Sequence, residues 1–151
     1  MAYFQLDETD KVLVRELQAD GRATFRALAD RVGLSEAPVR RRVLNLIDEG
    51  VIQIVGVTDP THVGFERQAL LAIRVTGPVL AVADKLAAIP EVVYVVVTSG
   101  SYDITAEVVC KDDAALLELT ETSIRTIEGV ASMEILSYLR LHKQSYNWGT
   151  L

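Results

Sequence analysis

The sequence predicts an α+β chain in two units, three helices followed by a sheet of order βαββαβ, and three observations carry that reading. Helix-type apolar spacing fills residues 1–50 and then stops. Proline and glycine cluster at Thr58-Asp-Pro-Thr-His-Val-Gly64, where a linker belongs. Beyond it, strand-like and helix-like segments alternate in the order of a ferredoxin-like split unit. The expected boundaries are a three-helix domain at 1–50, a β-strand and linker at 51–66, a ferredoxin-like domain at 67–143 and a C-terminal tail at 144–151.

Each element has a local cause. Asp7 can cap a first helix running to about Ala19, with Val12, Leu13 and Leu17 inward and Asp20-Gly21 closing it. Thr24 can cap a second helix whose stripe is Leu28, Ala29 and Val32, and Gly33 takes the sharp turn that follows. Ser35 can cap a third, in which Val39, Val43, Leu46 and Ile47 share one face, and Gly50 ends it. The β-like run Val51 to Val57 leads into the linker. Gln68 to Thr76 then reads as a strand, and Val79 to about Ile89 as a helix that Pro90 stops. Glu91 to Thr98 is a strand, Ser99-Gly-Ser101 a turn, and Tyr102 to Cys110 its antiparallel neighbour. A helix from about Asp112 to Ile127 and a strand from Val130 to about His142 complete the unit.

One strand departs from the rule for a sheet with helices on one face only. In Val92-Val-Tyr-Val-Val-Val97 odd and even positions are both apolar, so something should cover the second face. The same sheet of a second copy, packed face to face in a two-fold dimer, is the simplest cover; the chain's own tail, Tyr146 to Leu151, is the alternative.

The segment from Thr24 to Val43 has the form of a helix-turn-helix DNA reader: two short helices, a glycine turn, and Arg40-Arg41-Arg42 on the second helix. At about 100° per residue, the side chains opposite the apolar stripe are Ala37, Arg41, Leu44 and Asp48. The outer N-terminal half offers Glu36, Ala37, Arg40 and Arg41 to a major groove. Arginine pairs with guanine, glutamate accepts from cytosine, and alanine touches a thymine methyl. Arg42, on the flank, suits either a phosphate or an internal ion pair. Thr24 and Ser35, at the helix starts, complete the candidate DNA-binding set with Glu36, Ala37, Arg40, Arg41 and Arg42. The bland alternative is a helical bundle with a solvated arginine face.

Charge supports a local footprint. The chain carries a net charge of -6, which argues against indiscriminate nucleic-acid binding. Between Arg22 and Arg42, however, six arginines (22, 26, 31, 40, 41, 42) face two acids (Asp30, Glu36), a local balance of +4. No run approaches the roughly 18 apolar residues of a membrane span. Met1 to Thr9 has neither the basic start nor the apolar run of a signal peptide. The single cysteine, Cys110, lies in an apolar run and reads as a core residue, implying a reducing cytoplasm.

Several motifs together resemble the Lrp/AsnC family of small transcription regulators, also called feast/famine regulators, over roughly residues 6 to 143. They are Leu6-Asp7 with Asp10; Asp20-Gly21-Arg22, Leu28-Ala29 and Val32-Gly33-Leu34-Ser35; then Val39, Arg41-Arg42-Val43, Leu46 and Glu49-Gly50-Val51-Ile52. Asp59-Pro60, Val63-Gly64, Pro90-Glu91-Val92, Gly100, Tyr102 and Asp103 continue the match. Ala27, where the family often has a glutamate, Leu44-Asn45, where it has basic residues, Ile47, where it has an acid, and Ser99, where threonine is common, depart from it.

The resemblance implies a cytoplasmic homodimer, able to assemble into an octamer or other ring of dimers, that reads pseudo-palindromic double-stranded DNA. It also implies a small-molecule effector, usually an amino acid, at the turn between the second and third sensor strands, here Thr98, Ser99, Gly100, Ser101, Tyr102 and Asp103. The chemistry of that turn fits: Gly100 admits a carboxylate to backbone amides, Ser99 and Ser101 donate, and Asp103 accepts from an ammonium group. An ordinary hairpin is the equal alternative.

An enzyme is the competing class, because some proteins resembling this family are sirohaem decarboxylases, which need histidine and several basic residues. From Thr61 onward there are seven Lys and Arg (67, 74, 85, 111, 125, 140, 143) against eleven acids, and the only histidines are His62 and His142. No nucleophile with a partner base, metal-ligand spacing or phosphate-binding glycine loop is present, so neither catalytic residues, a metal nor a cofactor is expected. A metabolite-binding module without DNA binding is the third reading.

Overall fold

A computed structural model describes residues 5–151, so the reading of Met1 to Thr9 lies partly outside the described residues. The described residues divide into two compact units: residues 5–57 with 143–151, and residues 58–142.

The first unit is built on α1 (Glu8–Ala19), α2 (Phe25–Val32) and α3 (Glu36–Asp48). Asp7 caps α1 through a reciprocal box with Asp10, its side chain accepting from the Asp10 N–H at 2.8 Å. Gly33, at φ 70°, makes the left-handed turn between α2 and α3 that residues with a Cβ rarely adopt. Leu13, Val14 and Leu17 of α1 close over Leu28 and Ala29 of α2 and Val39, Val43 and Leu46 of α3. Burying these at spacings of three and four residues is what makes three short helices stable together.

The run Val51 to Val57 is extended and pairs with no strand among the described residues of the chain. The tail joins the helical unit, with Gly149 and Thr150 hydrogen-bonded to Gln18 and Arg15 of α1.

The second unit contains β1 (Arg67–Val75), α4 (Val79–Ala87), β2 (Val92–Val97), β3 (Ile104–Cys110), α5 (Asp113–Glu118) and β4 (Val130–Ser137). The sheet is antiparallel throughout, in the order β2-β3-β1-β4, which is the ferredoxin-like arrangement expected. Ala69, Leu71 and Ile73 of β1 and Ile104, Ala106, Val108 and Cys110 of β3 face the helices, burying Val82, Leu86, Leu116, Leu119 and Ile124 against them. The final strand stops at Ser137, short of the expected His142.

The helix expected from Asp112 to Ile127 is regular only to Glu118 and continues as a wide π turn, Leu119–Ile124. Thr120 explains the change. Its hydroxyl donates to the carbonyls of Leu116 and Leu117 at 2.9 and 3.0 Å, and its own carbonyl accepts from Arg125 five residues on.

The apolar excess of β2 also has a structural cause. The register slips between Val92 and Tyr94, so Val93 is an inserted residue and the two-residue alternation breaks there. Apolar side chains nevertheless remain on the face away from the helices: Leu70, Tyr94, Val96 and Leu136 share it with Glu107 and Glu134.

Candidate nucleic-acid interface and effector turn

The helix-turn-helix is assembled from local bonds. The Thr24 hydroxyl accepts from the Ala27 N–H at 3.2 Å and starts α2. Ser35 occupies the corresponding position before α3 but makes no side-chain capping bond. The reason lies three residues on, since Pro38 has no N–H to donate.

Along α3, Ala37, Arg40, Arg41, Leu44, Asn45 and Asp48 line one shallow groove of about 340 Å3, opposite the buried Val39, Val43 and Leu46. Glu36 is exposed in the first turn. Arg40 is exposed with its guanidinium 5.7 Å from the Phe25 ring centroid, and Arg41 is exposed and carries no ion pair among the described residues. Asn45, four residues after Arg41, joins this surface, although the sequence reading did not include it in the DNA-binding set. Its signal was the helical period, and its amide has the donor and acceptor that recognise adenine.

Arg42 takes the second of the two roles open to it. Its Nη1 donates to Asp7 Oδ2 at 2.7 Å and to Asp10 Oδ1 at 2.8 Å, tying α3 to the capping box of α1. These bonds raise the guanidinium pKa above its ordinary value, the Asp10 bond most of all. The backbone N–H of Asp10, with Arg42 behind it, holds the Asp7 carboxyl below the usual carboxylate range. Arg42 therefore ties the recognition helix to α1 within the reading head.

At the turn between β2 and β3, Thr98 and Asp103 form the closing pair. Thr98 N–H donates to the Asp103 carbonyl at 2.9 Å, and its hydroxyl donates to the Tyr102 carbonyl at 2.7 Å. Asp103 is locked to β1 as well: its N–H donates to the Ile73 carbonyl, and its Oδ2 accepts from the Val75 N–H at 2.7 Å. Ser99, Gly100 and Ser101 stand exposed at the tip, with Gly100 at φ 146° and open space where a Cβ would project. Two residues missed in the sequence reading join them from other strands. The Arg74 guanidinium of β1 lies 5.3 Å from the Tyr102 ring centroid, and a hydrogen bond with Glu134 of β4 raises the Tyr102 phenol above its ordinary pKa. Sheet register, invisible in a linear pattern, brings them together.

Cys110 is buried in the core, and burial pushes its thiol pKa up, away from nucleophilic reactivity. No group of three metal-ligating side chains occurs among the described residues, and no helix among them is long and apolar enough to cross a membrane.

Residues 6–47 match the AsnC-type helix-turn-helix domain and residues 68–148 the Lrp/AsnC ligand binding domain. The HTH-type transcriptional regulator FL11 of Pyrococcus horikoshii is 32% identical over 142 residues, 93% of this chain and 93% of that one. Among solved structures, the leucine response regulatory protein LrpA of Mycobacterium tuberculosis superposes with a TM-score of 0.84 at 33% identity, covering 92% of this chain and 96% of that one. A transcriptional regulator of Neisseria meningitidis in complex with L-Met superposes with a TM-score of 0.83 at 25% identity, covering 95% and 96%. Both domains match in order and relatives of this similarity span nearly the whole chain, so the chain belongs to the Lrp/AsnC family of helix-turn-helix transcriptional regulators.

Proposed function

We propose that this regulator works in the cytoplasm as a homodimer, reads two half-sites about one helical turn apart, and binds DNA in response to an amino acid at the Thr98–Asp103 turn. The observation that carries the DNA reading is the division of labour among three consecutive arginines. Arg42 is consumed by Asp7 and Asp10, whereas Arg40 and Arg41 remain exposed on the groove-lining face with Ala37 and Asn45. A helix kept in register by one arginine and exposing the next two can place guanidinium groups on guanine edges.

The dimer is supported by the uncovered sheet face. Leu136 is 49% and Tyr94 57% exposed in the single chain, and packing the face against its copy would take both from water. A two-fold dimer presents two recognition helices, hence paired half-sites. Assembly into a ring of dimers is the family-level extension of this reading.

Amino-acid sensing is supported by the chemistry of the turn. Arg74 is a carboxylate partner, the space beside Gly100 at the tip is open, and the Asp103 side chain is held in place by the Val75 N–H on its Oδ2. The relative from Neisseria meningitidis was solved with L-Met. Selection of duplexes from a random pool, followed by calorimetry with the twenty amino acids and repetition of the binding assay with each one bound, tests the proposal. Selected sites with paired half-sites and an affinity that changes with one amino acid are expected. Unpaired sites, or amino acids that neither bind nor alter DNA affinity, would refute the corresponding part.

A further inference from the structure

The polypeptide passes between its two units twice, at residues 57–58 and again at 142–143, because the tail returns to the helical unit. The tail is held there by specific bonds. The Gln18 side-chain amide pairs with the Gly149 backbone in both directions, accepting its N–H at 3.1 Å and donating to its carbonyl at 3.5 Å. Arg15 Nη1 donates to the Thr150 hydroxyl at 3.1 Å. Tyr146 and Trp148 line an apolar groove of about 580 Å3 with Leu17, Ile52, Ile54 and Val57.

Helix α1 is thereby gripped at both ends. Near its C-terminus Arg15 and Gln18 hold the tail; at its N-terminus Asp7 and Asp10 hold Arg42 of the recognition helix. Leu17 lines the tail groove while sharing the core with Val39, Val43 and Leu46 of α3. Residues 144–151 contain no lysine or arginine, so the tail lacks the charge of a phosphate-binding arm.

We infer that this surface of α1 is a docking site for the chain's own C-terminal segment, Tyr146 to Thr150, and that docking couples the sensor unit to the recognition helix through α1. The inference rests on the DNA-reading function proposed above. A coupling of this kind is reciprocal: if docking strengthens DNA binding, bound DNA must strengthen docking.

Trp148 is the only tryptophan of the chain and reports the tail directly through its fluorescence anisotropy decay. Gly149→Val acts from the tail and leaves α1 intact, since φ 73° is costly for a β-branched residue. Gln18→Ala acts from the head. In the full chain both variants should increase the fast component of the decay and weaken binding of a duplex selected by the parent roughly fivefold or more, within the usual range of allosteric coupling. Helical circular dichroism of Gly149→Val should match the parent. A saturating amount of that duplex should suppress the fast component in the parent. A tail that is released with no loss of duplex affinity, or a parent whose Trp148 decay ignores the duplex, overturns the coupling alone. A parent that selects no duplex overturns the DNA-reading function and the coupling with it.

Discussion

Replacing Arg42 by alanine separates a folding role from a DNA role at the centre of the reading head. The substitution removes both bonds to the α1 capping box and leaves Asp10, 7% exposed, without its cationic partner. A hydrogen bond to a charged group contributes about 1.5–3 kcal/mol. Arg42 is itself about a third exposed, so solvent screening reduces the loss on the Asp10 arm to about 1–2 kcal/mol. For a unit of this size that is a fall in melting temperature of roughly 5–15 °C, read by helical circular dichroism. The gap should depend on pH with a definite sign. Asp7 has its folded-state pKa lowered from 3.8, so its contribution is complete above that value and lost as pH falls through the depressed one. The part of that contribution which Arg42 supplies should therefore be present at neutral pH and lost as pH falls below 3.8, so the melting difference between parent and Arg42→Ala narrows in acid. Below the variant's melting range its preference among DNA sequences should persist. A variant that melts like the parent yet binds every sequence more weakly, with the slope of log affinity against log salt reduced by about one, would refute the reasoning and make Arg42 a phosphate ligand.

Arg41→Ala should cost about 1–3 kcal/mol for the selected duplex and relax preference at one position while leaving melting unchanged; competition gel shifts with single-base variants read both effects. Asp103→Asn keeps an oxygen to accept the Val75 N–H but removes the charge, so it should lose calorimetric binding of the amino acid while preserving melting and ligand-free DNA affinity. Gly129→Ala should destabilise the sensor unit by about 2–4 kcal/mol in chemical denaturation, combining backbone strain with overpacking. Its Cβ would stand 2.9 Å from Val82 Cγ2 and 3.2 Å from the Thr76 carbonyl, at φ 101°. Leu136→Asp, at a position 49% exposed in the single chain, should leave the protomer folded but shift sedimentation toward monomer.

The sequence alone determined the element order, because burial periodicity and turn chemistry are local. Asp7, Thr24 and Gly33 mark helix ends through bonds and dihedrals reaching no more than a few residues, and Leu13, Val39 and Val43 announce their burial by spacing. The same local rules exposed Arg40 and Arg41 and located the turn from Thr98 to Asp103. Tertiary structure decided everything that depends on who meets whom across the chain. Arg42 lies between a phosphate role and an ion pair until α1 packs beside α3 and supplies Asp7 and Asp10. Arg74 and Glu134 reach Tyr102 through strand register, and the tail reaches Gln18 across 131 residues of sequence. The π turn at Thr120 and the slip at Val93 are not legible in the sequence for a related reason. Each inserts one residue into a regular period, and only packing against the neighbouring element shows which residue is the extra one.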